Sequence, residues 1–369
     1  MSFRCTGKGI LLGLLTFSAD AQVAQFYDHG NPTAYEQLML EMVNRARANP
    51  GAEAARLGID LNEGLAPGTI ANTPKQPLAL HPQLIAAARA HSQWMLDTDV
   101  FAHEGAGGST PGDRMGNAGY AFTGSWTWGE NISWTGSTGP IDFNRMTMES
   151  HDGLFRSPGH RVNIANNTFD EIGVGVLGGT FTNAQRDWNA VMSTQNFARS
   201  GSTPAPLLLG IVFQDADEDS FYDPGEGVAG VTVQLSGSNW YTVTSDSGGY
   251  ALPYPAGSGI LDVFFSGATL TAHQIVSVAK TGSNLKVDLD LSEISNLPQW
   301  IEGSLTMTAA GRFQAEVSGA PGTSFSLQHS TDLVGWTTVS TYTMEGDGSM
   351  GVTHAPSSPE TPHFYRLHH

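Results

Sequence analysis

Apolar residues in the first half of the chain recur at helical spacing in two places and at strand spacing in others. Leu38, Met42, Val43 and Ala46 fall on one face of a helix, and Thr33 with Glu36 makes a capping box at its start. In that box the hydroxyl and the carboxylate each satisfy an N–H group that the first helical turn leaves without a partner. Pro50 is read as the end of the run. A second helix is predicted from His81-Pro82, because proline suits a first turn, with Leu84, Ala88 and Met95 on one face. Asp142 to Leu154 is predicted as a third, shorter helix. Ile172 to Leu177 and Trp188 to Phe197 read as strands, the second placing Val191, Ser193, Gln195 and Phe197 on one face.

The pattern changes near residue 200. No helix-length apolar period follows, and short β-rich runs alternate with Gly and Asp: Val228 to Leu235, Trp240 to Thr244, Tyr250 to Leu252, then Phe325 to His329, Trp336 to Tyr342 and Phe364 to Leu367. Gly201 to Pro206 is a small-residue, proline-bearing spacer, and Leu291 to Pro298 closes another strand-like run. The expected layout is a mixed α and β domain at 22–200, a linker at 201–206, and two small all-β sandwiches at 207–296 and 297–369.

Charge and composition narrow the classes. The 369 residues carry 17 basic and 35 acidic side chains, a net charge of −18, with no basic run. That is not the footprint of a nucleic-acid binder. Disorder is disfavoured by 40% hydrophobic residues and eight tryptophans. Arg4 and Lys8, the apolar run Ile10 to Phe17, and Ala19-Asp20-Ala21 read as a signal peptide over residues 1–21. The run is far short of the ~20 apolar residues that span a bilayer, so the expected mature chain is secreted and extracellular with no transmembrane segment. Its cleavage removes Cys5, the only cysteine, leaving neither a disulfide nor a thiol nucleophile.

Six histidines occur before residue 200: His29, His81, His91, His103, His151 and His160. Two stand in distinctive words, Phe101-Ala-His103 and Ser157-Pro-Gly-His160-Arg161, with Gly129-Glu130-Asn131-Ile132 between them. With Asn44-Arg45-Ala-Arg47 upstream and Phe169-Asp-Glu-Ile-Gly-Val-Gly175 downstream, the order resembles the CAP superfamily over about residues 34–199. That superfamily includes cysteine-rich secretory proteins, venom antigen 5 and plant pathogenesis-related proteins. The resemblance implies an α-β-α sandwich whose open cleft gathers two histidines and two acids. His103, Glu130 and His160 match three of these positions, and Glu149 is the nearest candidate for the second acid, without the preceding Trp of the eukaryotic pattern.

Neutral imidazoles at His103 and His160 could offer two nitrogen ligands to Zn²⁺ with positions left open, Glu130 orienting a ring or holding a ligand hydroxyl. A buried hydrogen-bond network tying the sandwich together would use the same residues. Known hydrolase words are missing: there is no G-x-S-x-G, and Gly107 stands where a zincin starting at His103-Glu104 needs its second histidine. Three readings remain. The cleft binds an unidentified small-molecule, lipid or glycan ligand, with Zn²⁺ as a candidate ion; or it is a Zn-dependent hydrolase of peptides or cell-wall material; or the chain is a non-catalytic surface adhesin. The residues favour binding over catalysis.

A second word lies in the acidic middle segment: Asp215-Ala-Asp217-Glu-Asp219-Ser220-Phe221-Tyr222-Asp223-Pro-Gly-Glu226. Acids fall at loop positions 1, 3, 5, 9 and 12, and the Phe221 carbonyl stands at position 7, the oxygen-ligand spacing of an EF-hand-type Ca²⁺ loop. Hard oxygen ligands suit calcium over zinc. Ser220 replaces the usual glycine. The strand-like words after it, from Gly225 to Leu235 and Thr244 to Tyr250, resemble the B-type repeat of Gram-positive serine-aspartate-repeat adhesins, which implies a Ca²⁺-stiffened β-sandwich rather than a switch.

Overall fold

The computed structural model describes residues 24–368 apart from 269, 271–273, 293–297, 302, 309–310, 320, 347 and 357–361. The expected signal peptide and Cys5 lie outside the described residues. Contacts divide the chain into two compact units, Gln22–Leu289 and Asp290–His369.

The first unit opens with β1 (Gln25–Phe26) and α1 (Ala34–Ala48), and Thr33 and Glu36 form the expected capping box. Pro50 ends α1 but also begins α2 (Pro50–Arg56), where Asn49 caps the new helix and Pro occupies its first turn. Next come β2 (Ala79–Leu80), α3 (Pro82–Thr98), α4 (Pro111–Asn117), β3 (Thr127–Ser137), α5 (Phe143–Arg156) and α6 (Pro158–Ile164). A long hairpin of β4 (Glu171–Asn183) and β5 (Arg186–Arg199) completes a four-stranded sheet ordered β2-β4-β5-β3. β2 runs parallel to β4, and the other pairs are antiparallel.

Helices cover both faces of this sheet. Ile172, Val174, Val191 and Phe197 share a buried cluster with Leu38 and Met42 of α1, Met146 of α5 and Ile164 of α6. Ala190, Met192 and Ile132 pack instead with Met95 and Leu96 of α3. The alternation read in β5 is therefore not an inside–outside pattern: every residue from Ala190 to Ala198 is buried, because neither face meets water. Gly173 and Gly175 of β4 let α3 come close. A Cβ at Gly173 would overlap the Leu84–Ile85 backbone, and one at Gly175 would stand 2.5 Å from the Arg89 nitrogen.

The middle strands are β6 (Leu207–Phe213), β7 (Thr232–Leu235), β8 (Trp240–Val243), β9 (Gly249–Pro253), β10 (Ile260–Ser266), β11 (Gln274–Ala279), β12 (Leu285–Lys286) and β13 (Leu289–Asp290). They make a sheet β12-β6-β13 with β9 on β6, and a sheet β8-β7-β10-β11 that β1 extends by pairing parallel with β8. Middle strands and helices are thus part of one unit. The His29 ring bonds the Gly249 carbonyl (3.0 Å) and the Thr242 hydroxyl (2.9 Å), and Lys286 Nζ reaches Glu41 Oε2 of α1 (2.9 Å). Ile211, Phe213 and Tyr222 join the same buried cluster as α1.

The second unit holds β14 (Gln299–Trp300), β15 (Thr306–Met307), β16 (Phe313–Ser318), β17 (Ser324–Ser330), β18 (Thr337–Thr343), β19 (Ser349–His354) and β20 (Phe364–His368). Two antiparallel sheets, β14-β16-β15 with β19 on β16 and β18-β17-β20, enclose Phe313, Val317, Phe325, Leu327 and Val352.

Candidate functional site

The site forms at β3, the edge strand of the four-stranded sheet, where the two helical layers meet. Glu130 projects from β3 toward α3, and its carboxylate is almost wholly enclosed, with 1% of the side chain exposed. His103 donates from Nδ1 to Glu130 Oε1 at 2.8 Å. A carboxylate only accepts, so this bond fixes the tautomer and leaves His103 Nε2 as the free ring nitrogen. His103 is 52% exposed, so that nitrogen belongs to a ring open to solvent.

Two further groups hold Glu130, and a third lies beside it. Arg114 of α4 donates from Nη2 to Oε2 at 2.5 Å and, through Nη1, fastens the His103 and Ser109 carbonyls at 2.9 and 2.8 Å. The Asn196 amide, oriented to satisfy both ends, donates to Oε2 (3.2 Å) and accepts from the Ala88 N–H (3.1 Å). His91 Nε2 lies 3.9 Å from Oε1 and donates to the Ala102 carbonyl at 3.0 Å. Burial holds the His91 imidazole below the usual histidine range, so the ring is a neutral donor fixing the loop that carries His103.

His160 comes from the other helical layer. It lies in α6, whose Asn163 donates to the Asn131 side chain (2.9 Å) and to the Glu130 carbonyl (3.2 Å), while Asn131 donates to the His160 carbonyl (3.2 Å) and Gln195 (3.0 Å). This amide ladder ties α6 to the edge strand. Burial, and after it the neighbouring His103, hold the His160 ring below the usual histidine range. Its Nδ1 is buried without a hydrogen-bond partner.

Three of the four expected cleft residues therefore come together. Glu149 is placed differently: it is exposed on α5 and bonded to Arg145 at 2.6 Å, with no bond to His103, Glu130 or His160 among the described residues. His151, two residues on, is buried against Glu53 at 3.0 Å, where Arg45 and Arg56 also converge. Those two guanidinium groups make Glu53 an ion-pair centre rather than a cation site. Arg161 anchors loops, donating to the Phe155, Arg156 and Glu63 carbonyls. Arg114 and Asn196 were not singled out in the sequence. The only local signal for Arg114 was the Thr110–Asp113 capping box that starts α4.

In the middle segment, carboxylate oxygens of Asp215, Asp217 and Asp219 lie within 4.8 Å of one another. Asp215 accepts the Glu218 and Ser220 N–H groups, and Glu226 accepts those of Ala216 and Asp223. Ser220 adopts φ +61°, the left-handed backbone for which this position usually holds glycine. The loop leans on α1, with the Arg45 guanidinium 4.8 Å over the Phe221 ring. Burial and the carboxylates of Asp217 and Asp219 raise the Asp223 pKa. A cavity of about 570 Å³ lies elsewhere, among Gln76, Asp170, Arg199, Pro206 and Asn284. None of His103, Glu130 and His160 lines it.

Residues 40–197 match the family model of CAP, the cysteine-rich secretory protein family, which supports a CAP domain over α1 to β5. An uncharacterized protein of Bacillus subtilis, YkwD, is 30% identical over 145 residues, 39% of this chain and 43% of that protein. An extracellular protein of Bacillus anthracis containing an SCP domain has a solved structure that is 23% identical, covers 45% of this chain and 40% of its own, and gives a TM-score of 0.30. The chain thus spans less than half the length of these relatives. Among the described residues no helix is long and apolar enough to cross a membrane.

Proposed function

We propose that this chain is an extracellular CAP-domain protein that binds a small ligand at the edge of β3, through His103 and His160, without turning it over. The observation that carries the reading is the His103–Glu130 bond, which leaves a solvent-facing ring nitrogen beside a second imidazole whose Nδ1 has no partner. Two such nitrogens fit Zn²⁺, with water or ligand oxygens completing the shell. When bound, the ion would supply Lewis-acid polarisation of a ligand oxygen. Glu130 supports binding over hydrolysis, since Arg114, Asn196 and His103 already occupy both its oxygens and leave it poorly placed to take a proton from water.

The middle strands act in this reading as a rigid mount. Asp215, Asp217, Asp219, the Phe221 carbonyl, Asp223 and Glu226 would hold Ca²⁺, and neutralising these clustered carboxylates would stiffen the loop against α1. The stalk-like likeness to adhesin repeats belongs to the same proposal.

Zinc content after dialysis tests the cleft. His103→Ala and His160→Ala should each lose one equivalent relative to the unaltered chain; equal zinc in all three removes the metal from the reading. Turnover of a peptide or ester panel that disappears in Glu130→Gln would replace binding with hydrolysis. For the loop, a chelator should lower the melting temperature of the unaltered chain and leave Asp217→Ala unmoved. An identical curve with and without chelator rejects the calcium ion.

A further inference from the structure

The C-terminal unit contains a histidine constellation of its own. His329 lies on β17, His363 just before β20, and His354 at the end of β19, so the two sheets of the small sandwich each contribute. His329 Nε2 and His363 Nδ1 share a hydrogen bond at 2.7 Å, and their ring centroids are 4.9 Å apart. The His354 ring is 5.2 Å from that of His329. Tyr365 of β20 bonds His354 Nδ1 through its hydroxyl at 2.9 Å and is itself stacked on Phe313 of β16.

We propose that His329, His354 and His363 form a binding site for a divalent transition-metal ion of the zinc, nickel and copper group, which staples the two sheets together. Three imidazoles with no thiolate suit these borderline ions rather than calcium, which takes oxygen ligands. His329 Nε2 and His363 Nδ1 already face each other. Zn–N bonds of ~2.0–2.1 Å at a tetrahedral angle set ligand nitrogens about 3.3 Å apart. The two rings need only part slightly as the ion replaces their shared proton. His354 Nε2 is the remaining donor, because Tyr365 occupies Nδ1. The Tyr365 contact is of the kind that orients metal-binding histidines: a partner on one ring nitrogen fixes the other.

An ion-pair role fits this cluster poorly. Neither His329 nor His354 has a carboxylate partner among the described residues: the first is bonded to His363 and the second to Tyr365. A stapling ion also answers a physical need, since a unit of this size with no disulfide has a small core of its own.

The test uses the full chain carrying His103→Ala and His160→Ala, so that the cleft cannot contribute. Equilibrium dialysis against Zn²⁺ should still find one equivalent per chain, lost when His329→Ala and His363→Ala are added, and Tyr365→Phe should weaken binding about tenfold. Zinc titration of the unaltered chain, followed by imidazole NMR resonances, supplies a readout that needs no variant to fold: His329, His354 and His363 should shift together. No zinc in the cleft-deficient chain, or unmoved resonances of these three rings, overturns the proposal.

Discussion

At the scale of single residues, the first unit buries several ionisable groups whose settings differ sharply. Burial alone would raise the Glu53 pKa, but hydrogen bonds from His151, Arg56 and Arg45 outweigh it and hold the carboxyl well below the usual range. A depressed folded pKa contributes stability above the unfolded value and loses it only as pH falls through the folded value. Glu53→Gln should therefore cost about 3 kcal/mol at neutral pH, as the removal of one partner from a buried pair does. In urea titrations the deficit should persist down to the ordinary carboxylate range of about 4 and close only below it. A deficit already gone at pH 5 would show that the guanidinium groups do not hold the charge. Glu171 is the opposite case. Burial raises it from 4.5 to about 7, despite a 2.6 Å bond from the Tyr120 hydroxyl. The nearby His81 is no counter-ion, since burial lowers its pKa to about 4. The folded state here binds its proton more tightly than the unfolded chain, so stability is full below pH 4.5 and declines as pH rises through about 7. Glu171→Gln should be near neutral at pH 5 and stabilising by up to about 3 kcal/mol at pH 8. Parallel pH profiles for the two proteins would contradict that raised affinity.

At the scale of elements, the glycines of β4 and α5 make a pair of contrasting tests. Gly173 lies under the α3 backbone, which cannot swing aside as a side chain can. Gly173→Ala should cost about 3 kcal/mol, the upper end for overpacking. Gly153, exposed in α5 with open space around its missing Cβ, should give the reverse: Gly153→Ala stabilises by about 1 kcal/mol through helix propensity. Denaturation midpoints measure both, and a tolerated Gly173→Ala would mean that α3 and β4 are less tightly apposed. The same elements mark what was legible in the chain. The capped helix at Thr33, the proline-started helix at His81 and the β-rich words carried strong local signals. The seven-residue helices α2, α4 and α6 did not, because each is too short to display a period and depends on packing. His103, Glu130 and His160 were found through their words. Arg114, His91 and Asn196 enter the site only when the sheet brings β3 and β5 together at Glu130 and Asn196, a pairing no local pattern encodes.

At the scale of the whole molecule, the middle strands are joined to the helical layers by a polar seam as well as by apolar packing. Lys286 stands between Glu41 at 2.9 Å and Asp288, and these two carboxylates raise its pKa despite burial. Glu41 is 5% exposed, so the ammonium is its counter-charge in a place water hardly reaches. Across the same unit, β1 lengthens the sheet that ends in β11, and the Asn284 amide donates to the Pro77 and Asp170 carbonyls. A spacer at 201–206 in the sequence thus does not imply independent motion: residues 22–289 share one unit and should unfold together. Lys286→Ala leaves Glu41 buried without its cation, and the expected cost is about 3 kcal/mol. The informative readout is where that cost is felt. If the seam couples the two parts, the variant lowers a single midpoint reported equally by Trp134 near α3 and by Trp240 on β8, read from single-tryptophan versions of the chain. Two separated midpoints, with only the Trp240 signal displaced, would mean that the strands of 207–289 melt on their own and that the site at β3 does not depend on them.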